Sequence, residues 1–202
     1  DYNKLSDEQR YKFIEYQKYK ITAEWFTQLT NQKAAEGKEA RNLVLRTKVG
    51  YGFLGYYKRD VGFSPFERFY MGGSGISGFQ NFVAREIIAL RGYPDPASNF
   101  LGDPICARYT MELRYPISLN PQATIFVLGF AEAGNSWGNY KTFNPFQVKR
   151  SAGLGLRVFL PMFGLLGFDY GWGFDSPLRS NESGGFGKGQ FHFTIGGNLG
   201  EL

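Results

Sequence analysis

The chain has 202 residues, of which 43% are hydrophobic and 18% aromatic, and its formal net charge is +5. The positive charges are interleaved with carboxylates rather than gathered in a block, which argues against nucleic acid as a partner. Arg157 and several glycines interrupt the stretch 151–168, so the sequence offers no run of about 18 apolar residues and excludes a membrane protein built from helices.

The residue types favour strands and give little support to catalysis. The 27 glycines would destabilise long helices, so an all-β fold is the first prediction. Cys106 is the only cysteine, which excludes an internal disulfide and a multi-cysteine metal site. His192 is the only histidine, and neither residue lies in a catalytic motif. We therefore expect no enzyme, no catalytic or metal site and no cofactor.

The first predicted elements are a short helix or loop and two strands. Residues 1–17 contain Ser6-Asp7-Glu8-Gln9, which fits a capping box. From Lys18 onward apolar residues recur at every second position, which predicts a first strand, and residues 31–41 form a turn. A second, long strand follows from Leu43 to Phe53.

A long connection separates these strands from the third. Residues 58–107 lack sustained periodicity and are too many for a hairpin, and loops of that length usually carry function. The third strand then alternates cleanly. Tyr109, Met111, Leu113 and Tyr115 share one face, and Arg108, Thr110, Glu112 and Arg114 share the other. Such a strand contacts an apolar medium on one side and a polar one on the other.

Four further strands complete the pattern. Residues 123–134 are apolar on both faces until Glu132, so the orientation of this fourth strand stays undecided. Residues 153–160 form the fifth strand, followed by a tight turn at 161–164. The sixth strand has an outward apolar set, Leu166, Phe168, Tyr170, Trp172 and Phe174. The seventh exposes Phe191, Phe193 and Ile195 opposite His192 and Thr194.

Short turns that alternate with long loops are typical of outer-membrane barrels, and the outward aromatics are expected to contact lipid. Seven strands are too few to close such a barrel, which usually has an even number and at least eight. An open sheet with an apolar face would be prone to aggregation. We therefore predict an antiparallel transmembrane β-barrel of which residues 18–202 form the C-terminal part.

One loop motif predicts a buried ionic site. Leu90-Arg91-Gly92-Tyr93 places a guanidinium where the strands would surround it, so Arg91 needs an acidic partner. Glu112 and Glu132 lie on the following strand-like runs, and each is a candidate for that partner.

Several motifs together resemble those of a known family. They occupy residues 69–74, 90–93, 112–116, 130–137, 151–157 and 191–196. Their order along the chain is more specific than any one of them. This series resembles the BamA family, the central subunits of the outer-membrane barrel assembly machine, in its Bacteroidetes form. Residues 76–79 also align with the loop tetrad, but Ser77 stands where the arginine belongs, so Leu90 to Tyr93 is the preferred match.

The resemblance implies a sixteen-stranded barrel in the cell outer membrane, preceded by periplasmic repeat domains. It implies that the loop 58–107 folds inward and that Glu112 and Glu132 hold Arg91. The implied function is the folding and insertion of β-barrel proteins through a seam between the first and last strands. The implied partners are unfolded outer-membrane proteins, accessory assembly lipoproteins, outer-membrane lipid and the N-terminal half of the same barrel.

Alternatives remain open. Phe191, Phe193, Ile195, Gly196 and Gly197 would form the last strand at the seam, where the glycines weaken pairing. Arg91 could pin its loop or take a direct part in gating. The function could instead be that of a related two-partner secretion or translocation pore, and a soluble β-barrel binding module is the third class.

Overall fold

A computed structural model of the chain describes residues 6, 15–33, 40–57, 62–73, 86–94, 102–162, 164–175 and 189–195. Most of the strands belong to one antiparallel sheet, which confirms the predicted all-β class. The sheet consists of seven strands: β1 (Tyr16–Gln28), β2 (Val44–Tyr56), β5 (Ile105–Asn120), β6 (Ala123–Trp137), β7 (Lys149–Leu160), β8 (Gly164–Gly173) and β9 (Gly189–Ile195). Two short strands, β3 (Phe69–Met71) and β4 (Glu86–Ile88), pair in parallel in the loop between β2 and β5. A 3₁₀ turn spans Tyr140–Thr142.

The seven strands follow one another in the sheet in chain order, each antiparallel to the next. The chain leaves β1, β5 and β7 at one end of the sheet and β2, β6 and β8 at the other. Within the described residues, β1 and β9 form no ladder with each other and are the two edges. Also within these residues, no helix has the length and apolar character needed to cross a membrane.

The two faces of the sheet differ in polarity. One face, called the inner face below, carries the buried polar and charged side chains of β5 to β9: Arg108, Thr110, Glu112, Glu132, Ser151, Arg157, Asp169, His192 and Thr194. The opposite, outer face exposes apolar side chains of β1 and of β5 to β9, for example Met111, Leu154 and Phe193. A polar interior and an apolar exterior reverse the arrangement of a water-soluble sandwich and match a transmembrane barrel wall.

The faces of β5, β8 and β9 are those predicted from alternation. The orientation of β6, which the sequence left undecided, is now fixed. Leu128, Phe130 and Glu132 are buried on the inner face, while Val127 and Ala131 are exposed on the outer face. The inner face of the strand includes an aromatic residue because Phe130 packs against Arg91 of the loop rather than against water.

The loop between β2 and β5 lies on the inner face and forms a small core there. Its residues Phe69, Met71, Ile88, Leu90 and Tyr93 cluster with two strand residues, Leu54 and Cys106. Gly52 permits this approach, since a Cβ at that position would lie 2.5 Å from the ring of Phe69. The loop is therefore packed against the sheet through apolar contacts.

Several predicted boundaries need correction. The loop prediction 58–107 is too long at its end, because Ile105 to Ala107 already pair with β6 and belong to β5. The predicted helix or loop at 1–17 overlaps β1, which pairs with β2 from Tyr16. Residues 1–5 and 7–14, including most of the predicted capping box, lie outside the described residues, as do residues 76–79.

Candidate functional site

Arg91 belongs to the loop between β2 and β5 and is fully buried on the inner face of the sheet. The backbone around it is held by three hydrogen bonds: Leu90 N–H to Gly73 O at 3.2 Å, Gly73 N–H to Tyr93 O at 3.1 Å, and Tyr93 N–H to Leu90 O at 3.3 Å. This tight turn projects the guanidinium onto the strands. The position of Arg91 is therefore set by the loop backbone as well as by its ionic contacts.

Glu132 on β6 makes the most contacts with Arg91. Its Oε1 accepts from Arg91 Nε at 2.9 Å and Nη2 at 2.6 Å, and its Oε2 accepts from the Arg91 backbone N–H at 2.9 Å. Glu112 on β5 accepts a further bond from Nη2 at 2.7 Å. The structure thus brings together all three residues that the sequence singled out for this site.

A third carboxylate completes the group. Asp169 on β8 accepts from Arg91 Nη1 at 3.2 Å and is fully buried. Sequence reasoning placed Asp169 on the inner face but did not connect it with Arg91. The available signal was an acidic side chain among glycines on that face, at positions 167, 171 and 173. We call Arg91 with Glu112, Glu132 and Asp169 the Arg91 clamp.

Each carboxylate of the Arg91 clamp also contacts another arginine. Arg108 donates to Glu132 at 2.8 Å. Arg157 donates to both oxygens of Asp169, at 2.9 and 2.8 Å. Two arginines, Arg46 and Arg114, donate to Oε2 of Glu112. The result is an ionic network in which no carboxylate depends on Arg91 alone.

Burial and charge act on Arg91 in opposite directions. Burial alone lowers the pKa of Arg91, but the attraction of the three carboxylates outweighs it and raises the pKa above its ordinary value. The guanidinium is also stacked on an aromatic ring, with Arg91 Cζ 3.7 Å from the centroid of Phe130. A planar guanidinium satisfies several acceptors and a ring at once, which an ammonium group does not.

Gly92 brings the loop backbone into contact with β8. Its φ is +89°, and a Cβ there would lie 2.8 Å from the backbone carbon of Trp172 and 2.9 Å from the nitrogen of Gly173. The facing strand β8 also needs a residue without a side chain here, since a Cβ on Gly171 would lie 2.9 Å from the nitrogen of Gly92. Glycine is therefore required on both sides of this contact.

Two more hydrogen bonds tie the tetrad to the strands. The Gly92 N–H donates to His192 Nε2 on β9 at 2.9 Å, so the proton of the neutral imidazole lies on Nδ1. The Tyr93 hydroxyl donates to Arg150 O at 2.8 Å and accepts from the Asp175 N–H at 3.2 Å. His192 on the polar face of β9 thus accepts a hydrogen bond from the loop backbone.

The sequence model of one protein family, the Omp85 superfamily domain, matches residues 3–198 of the chain. The chain belongs to the Omp85 superfamily. No curated protein matches it. Omp85 proteins are outer-membrane β-barrels, which indicates an outer-membrane location and a role in protein insertion or translocation. The polar inner face and the apolar outer face of the sheet fit such a barrel.

The predicted seam residues of this Omp85 chain lie partly within the described structure. Phe191, Phe193 and Ile195 project from the outer face of β9 and are exposed. The strand pairs with β8 on one side only, within the residues described. Gly196 and Gly197 lie outside the described residues.

The Omp85 site holds the loop against the strands through ion pairs and hydrogen bonds. Among the described residues, no group of three or more His, Cys, Asp or Glu side chains is arranged to hold a metal ion. The thiol of Cys106 is buried in the core under the loop, and His192 Nε2 accepts a backbone N–H. The chemistry of the Arg91 clamp is therefore charge-assisted hydrogen bonding, which fixes the loop to three strands.

Proposed function

We propose that this chain is the C-terminal part of the barrel of an assembly factor of the BamA type, in its Bacteroidetes form. Such a factor folds β-barrel proteins and inserts them into the outer membrane through a lateral seam. One observation carries the proposal: the arginine of the loop tetrad is buried against Glu112 and Glu132, the two residues that the resemblance implies. Membership in the Omp85 superfamily supports the same reading at a coarser level.

In this proposal the chain works as part of a sixteen-stranded barrel. The N-terminal half of the barrel pairs with the free edge of β1, and periplasmic repeat domains and accessory lipoproteins act with it. Outer-membrane lipid contacts the exposed side chains of the outer face, such as Ile21, Leu154 and Phe193. The clients are unfolded outer-membrane proteins.

The role of the Arg91 clamp is to keep the wall rigid next to a strand that can exchange partners. The clamp joins β5, β6 and β8 through one side chain. The neighbouring β9 keeps one edge that accepts hydrogen bonds from a client strand by β-augmentation. Glycines at 196 and 197 weaken the pairing of this last strand, so that the seam opens.

The test is depletion of the full-length protein in its own cell. Folded and unfolded outer-membrane proteins are separated by their heat-dependent migration on gels. We expect unfolded clients to accumulate on depletion, and wild type but not Arg91→Ala to restore folding. Normal assembly of outer-membrane proteins together with loss of one secreted protein would overturn the proposal in favour of a secretion pore.

A second test addresses the seam. Replacement of both Gly196 and Gly197 with valine is expected to slow client assembly, because side chains at these positions favour regular strand pairing. A matched control replaces Thr47, an outer-face residue of β2, with valine. Full assembly activity in the double variant would contradict the proposed role of the glycines.

A further inference from the structure

The loop between β6 and β7, residues 138–148, folds back over the outer face of the sheet. Trp137, at the end of β6, pairs with Ile105 of β5, whereas β7 begins at Lys149, opposite Gly134. β6 therefore extends beyond the ladder that it forms with β7. The loop returns along this extension before it enters β7, as its hydrogen bonds with the outer face indicate.

Two side chains of the outer face hold the returning part of this loop. The hydroxyl of Tyr109 donates to Pro145 O at 3.1 Å, and the amide of Asn135 donates to Gln147 O at 2.7 Å. Both donors lie on the outer face, where strand alternation places them together with Met111. The β6–β7 loop is therefore fixed to this face at two points.

A tight turn between these two points presents Phe146 to the surroundings. The Gln147 N–H donates to Asn144 O at 3.0 Å and closes the turn, and the Phe146 N–H donates to the side chain of Asn144 at 3.0 Å. The side chain of Phe146 is nevertheless 88% exposed. Because the backbone of the turn is hydrogen-bonded, the ring is held in its exposed position by the fold of the loop.

Another ring of the β6–β7 loop packs on the outer face itself. Phe143 contacts Trp137 and Phe53 edge to face, with ring centroids 5.0 and 5.7 Å away. Ile105 and Ala107 belong to the same cluster and are fully buried, although both lie on the outer face. A layer of protein therefore covers this end of the outer face, and the part exposed to lipid ends below it.

The position of the loop along the strands matches the boundary of a bilayer. Exposed apolar side chains of β5 occur from Met111 to Leu119. The segment from Tyr109, which holds the loop, to Leu119 spans about 33 Å along the strand and about 25 Å across the membrane at a tilt of about 40°. The lipid-facing band of an outer-membrane barrel is about 25 Å tall. Tyr109 thus lies at the upper limit of this band.

A charged pair marks the same boundary. Arg150 opposes Ala133 on the outer face, and Ala133 opposes Tyr109, so the three residues form one row across the sheet. The side chain of Arg150 is exposed and donates to Asp175 at 3.0 Å. Charged groups are costly in hydrocarbon, whereas aromatic residues are enriched at the membrane–water interface. The row that holds the β6–β7 loop therefore lies at the level of the lipid headgroups.

We propose that the β6–β7 loop is a membrane anchor, which places the ring of Phe146 in the interfacial zone of the surrounding lipid. The loop is bonded to the lipid-facing side of the wall, at the level of the headgroups, and holds an exposed aromatic ring there. β5, β6 and β7 each have a neighbouring strand on both sides, so strands added at the edges of the sheet would not cover the ring. The inference rests on the proposed contact of the outer face with lipid and is independent of the assembly function.

The experiment locates residue 146 relative to the bilayer. Phe146→Cys, in the full-length protein with Cys106→Ala and any other cysteines replaced, is labelled with nitrobenzoxadiazole and reconstituted into phosphatidylcholine nanodiscs. We expect blue-shifted emission, quenching by a lipid with a spin label in its headgroup or upper acyl chain, and little quenching by iodide in the buffer. Quenching by iodide without quenching by the lipid would overturn the proposal and favour a protein partner for the exposed ring.

Two further labelled positions calibrate the result. Leu154→Cys, on the outer face of β7, is expected to be quenched by a lipid labelled deeper in its acyl chain, and Lys141→Cys, on the same loop as Phe146, by iodide. Exposure of residue 146 alone to water would reject only the anchor. Exposure of both 146 and 154 would reject the lipid-facing wall and the anchor with it.

A second variant tests how the depth of the ring is set. Tyr109→Phe with Asn135→Ala removes both hydrogen bonds that the outer face donates to the loop. In the labelled Phe146→Cys protein we expect this change to reduce the blue shift and the quenching by spin-labelled lipid. The control is Thr142→Val, whose hydroxyl bonds only within the loop, to Asn139 O. Equal lipid quenching in the tether variant and the control would contradict the assignment of Tyr109 and Asn135 as the residues that hold the anchor.

Discussion

Glu132 binds Arg91 twice over, because its Oε1 accepts from the guanidinium while its Oε2 accepts from the backbone N–H of the same residue. A single carboxylate therefore fixes both the charge and the path of the loop. This relationship makes Arg91 sensitive to changes that preserve charge but alter shape, and the first prediction follows from it.

Arg91→Lys is expected to destabilise the protein almost as much as Arg91→Ala. A lysine has no planar fork to reach carboxylates on β5, β6 and β8 together. Removal of one member of a buried ionic group typically costs about 3–5 kcal/mol. The measurement is urea unfolding of the full-length protein in detergent. The control is Arg150→Ala, whose partner Asp175 lies at the exposed rim and whose loss should have little effect. Equal stability of Arg91→Lys and wild type would contradict the shape argument.

The three carboxylates are expected to differ in their coupling to Arg91. The Arg91 side chain makes two bonds to Glu132, at 2.9 and 2.6 Å, one to Glu112 at 2.7 Å and one to Asp169 at 3.2 Å. Double-mutant cycles of Arg91→Met with Glu132→Gln, Glu112→Gln and Asp169→Asn should give coupling energies of about 0.5–3 kcal/mol in that descending order. A largest coupling for Asp169 would show that the distances do not determine the energies.

Gly92→Ala is expected to release the loop from β8. The substitution forces a Cβ into backbone atoms at a positive φ, which combines overpacking of about 1–3 kcal/mol with backbone strain of about 1 kcal/mol. Gly62→Ala is the matched control, because Gly62 also has a positive φ of 71° but has nothing within 4 Å of an added Cβ. Thermal unfolding of the two variants separates contact from strain. A loss no greater for Gly92→Ala would rule out the steric contribution.

The thiol of Cys106 reports whether the loop is pinned. It is fully buried beneath the loop, in the cluster that contains Phe69, Met71 and Leu90. In a full-length protein with any other cysteines replaced, maleimide should label Cys106 slowly in wild type and faster in Arg91→Ala. Faster labelling with an unchanged barrel spectrum supports pinning of the loop. Unchanged labelling together with reduced client insertion would instead favour a direct part of Arg91 in gating.

Acid is expected to weaken the rim contact at Asp175. Its hydrogen bonds with Arg150 outweigh burial and lower the pKa of Asp175 below the ordinary value of 3.8. A carboxyl group whose folded-state pKa is lowered stabilises the fold above its unfolded pKa, and this contribution is lost as pH falls through the folded value. The effect is small because the pair is exposed. Unfolding temperatures of wild type and Asp175→Asn, compared from pH 6 to pH 3, should converge below pH 3.8.

The alternation of polar and apolar residues predicted which face a side chain lies on in strands whose two faces differ in polarity. The inner charged set of β5 and the outer aromatic set of β8 were readable because each strand changes chemistry at every residue. Alternation failed for β6, in part because Phe130 faces Arg91 of the loop rather than solvent. Periodicity records polarity and does not distinguish a protein layer from lipid.

The Arg91 site was predictable only in part. Glu112 and Glu132 were candidate partners of Arg91 because they lie on the strand-like runs that follow the loop tetrad, and the order of the motifs along the chain supported the same pairing. Asp169 and His192 are 78 and 101 residues from Arg91 in the chain, and only the three-dimensional register of β8 and β9 brings them near the tetrad. The short strands β3 and β4 were missed because three residues are too few for a period to appear.

The Arg91 clamp has a consequence for how the barrel is built. Its three acidic groups come from separate strands, so they converge only when those strands have the correct stagger. A slip of one strand by two residues keeps every side chain on its face but displaces its carboxylate by about 7 Å. The loop is therefore expected to dock with all three carboxylates only when these strands are paired in the correct register.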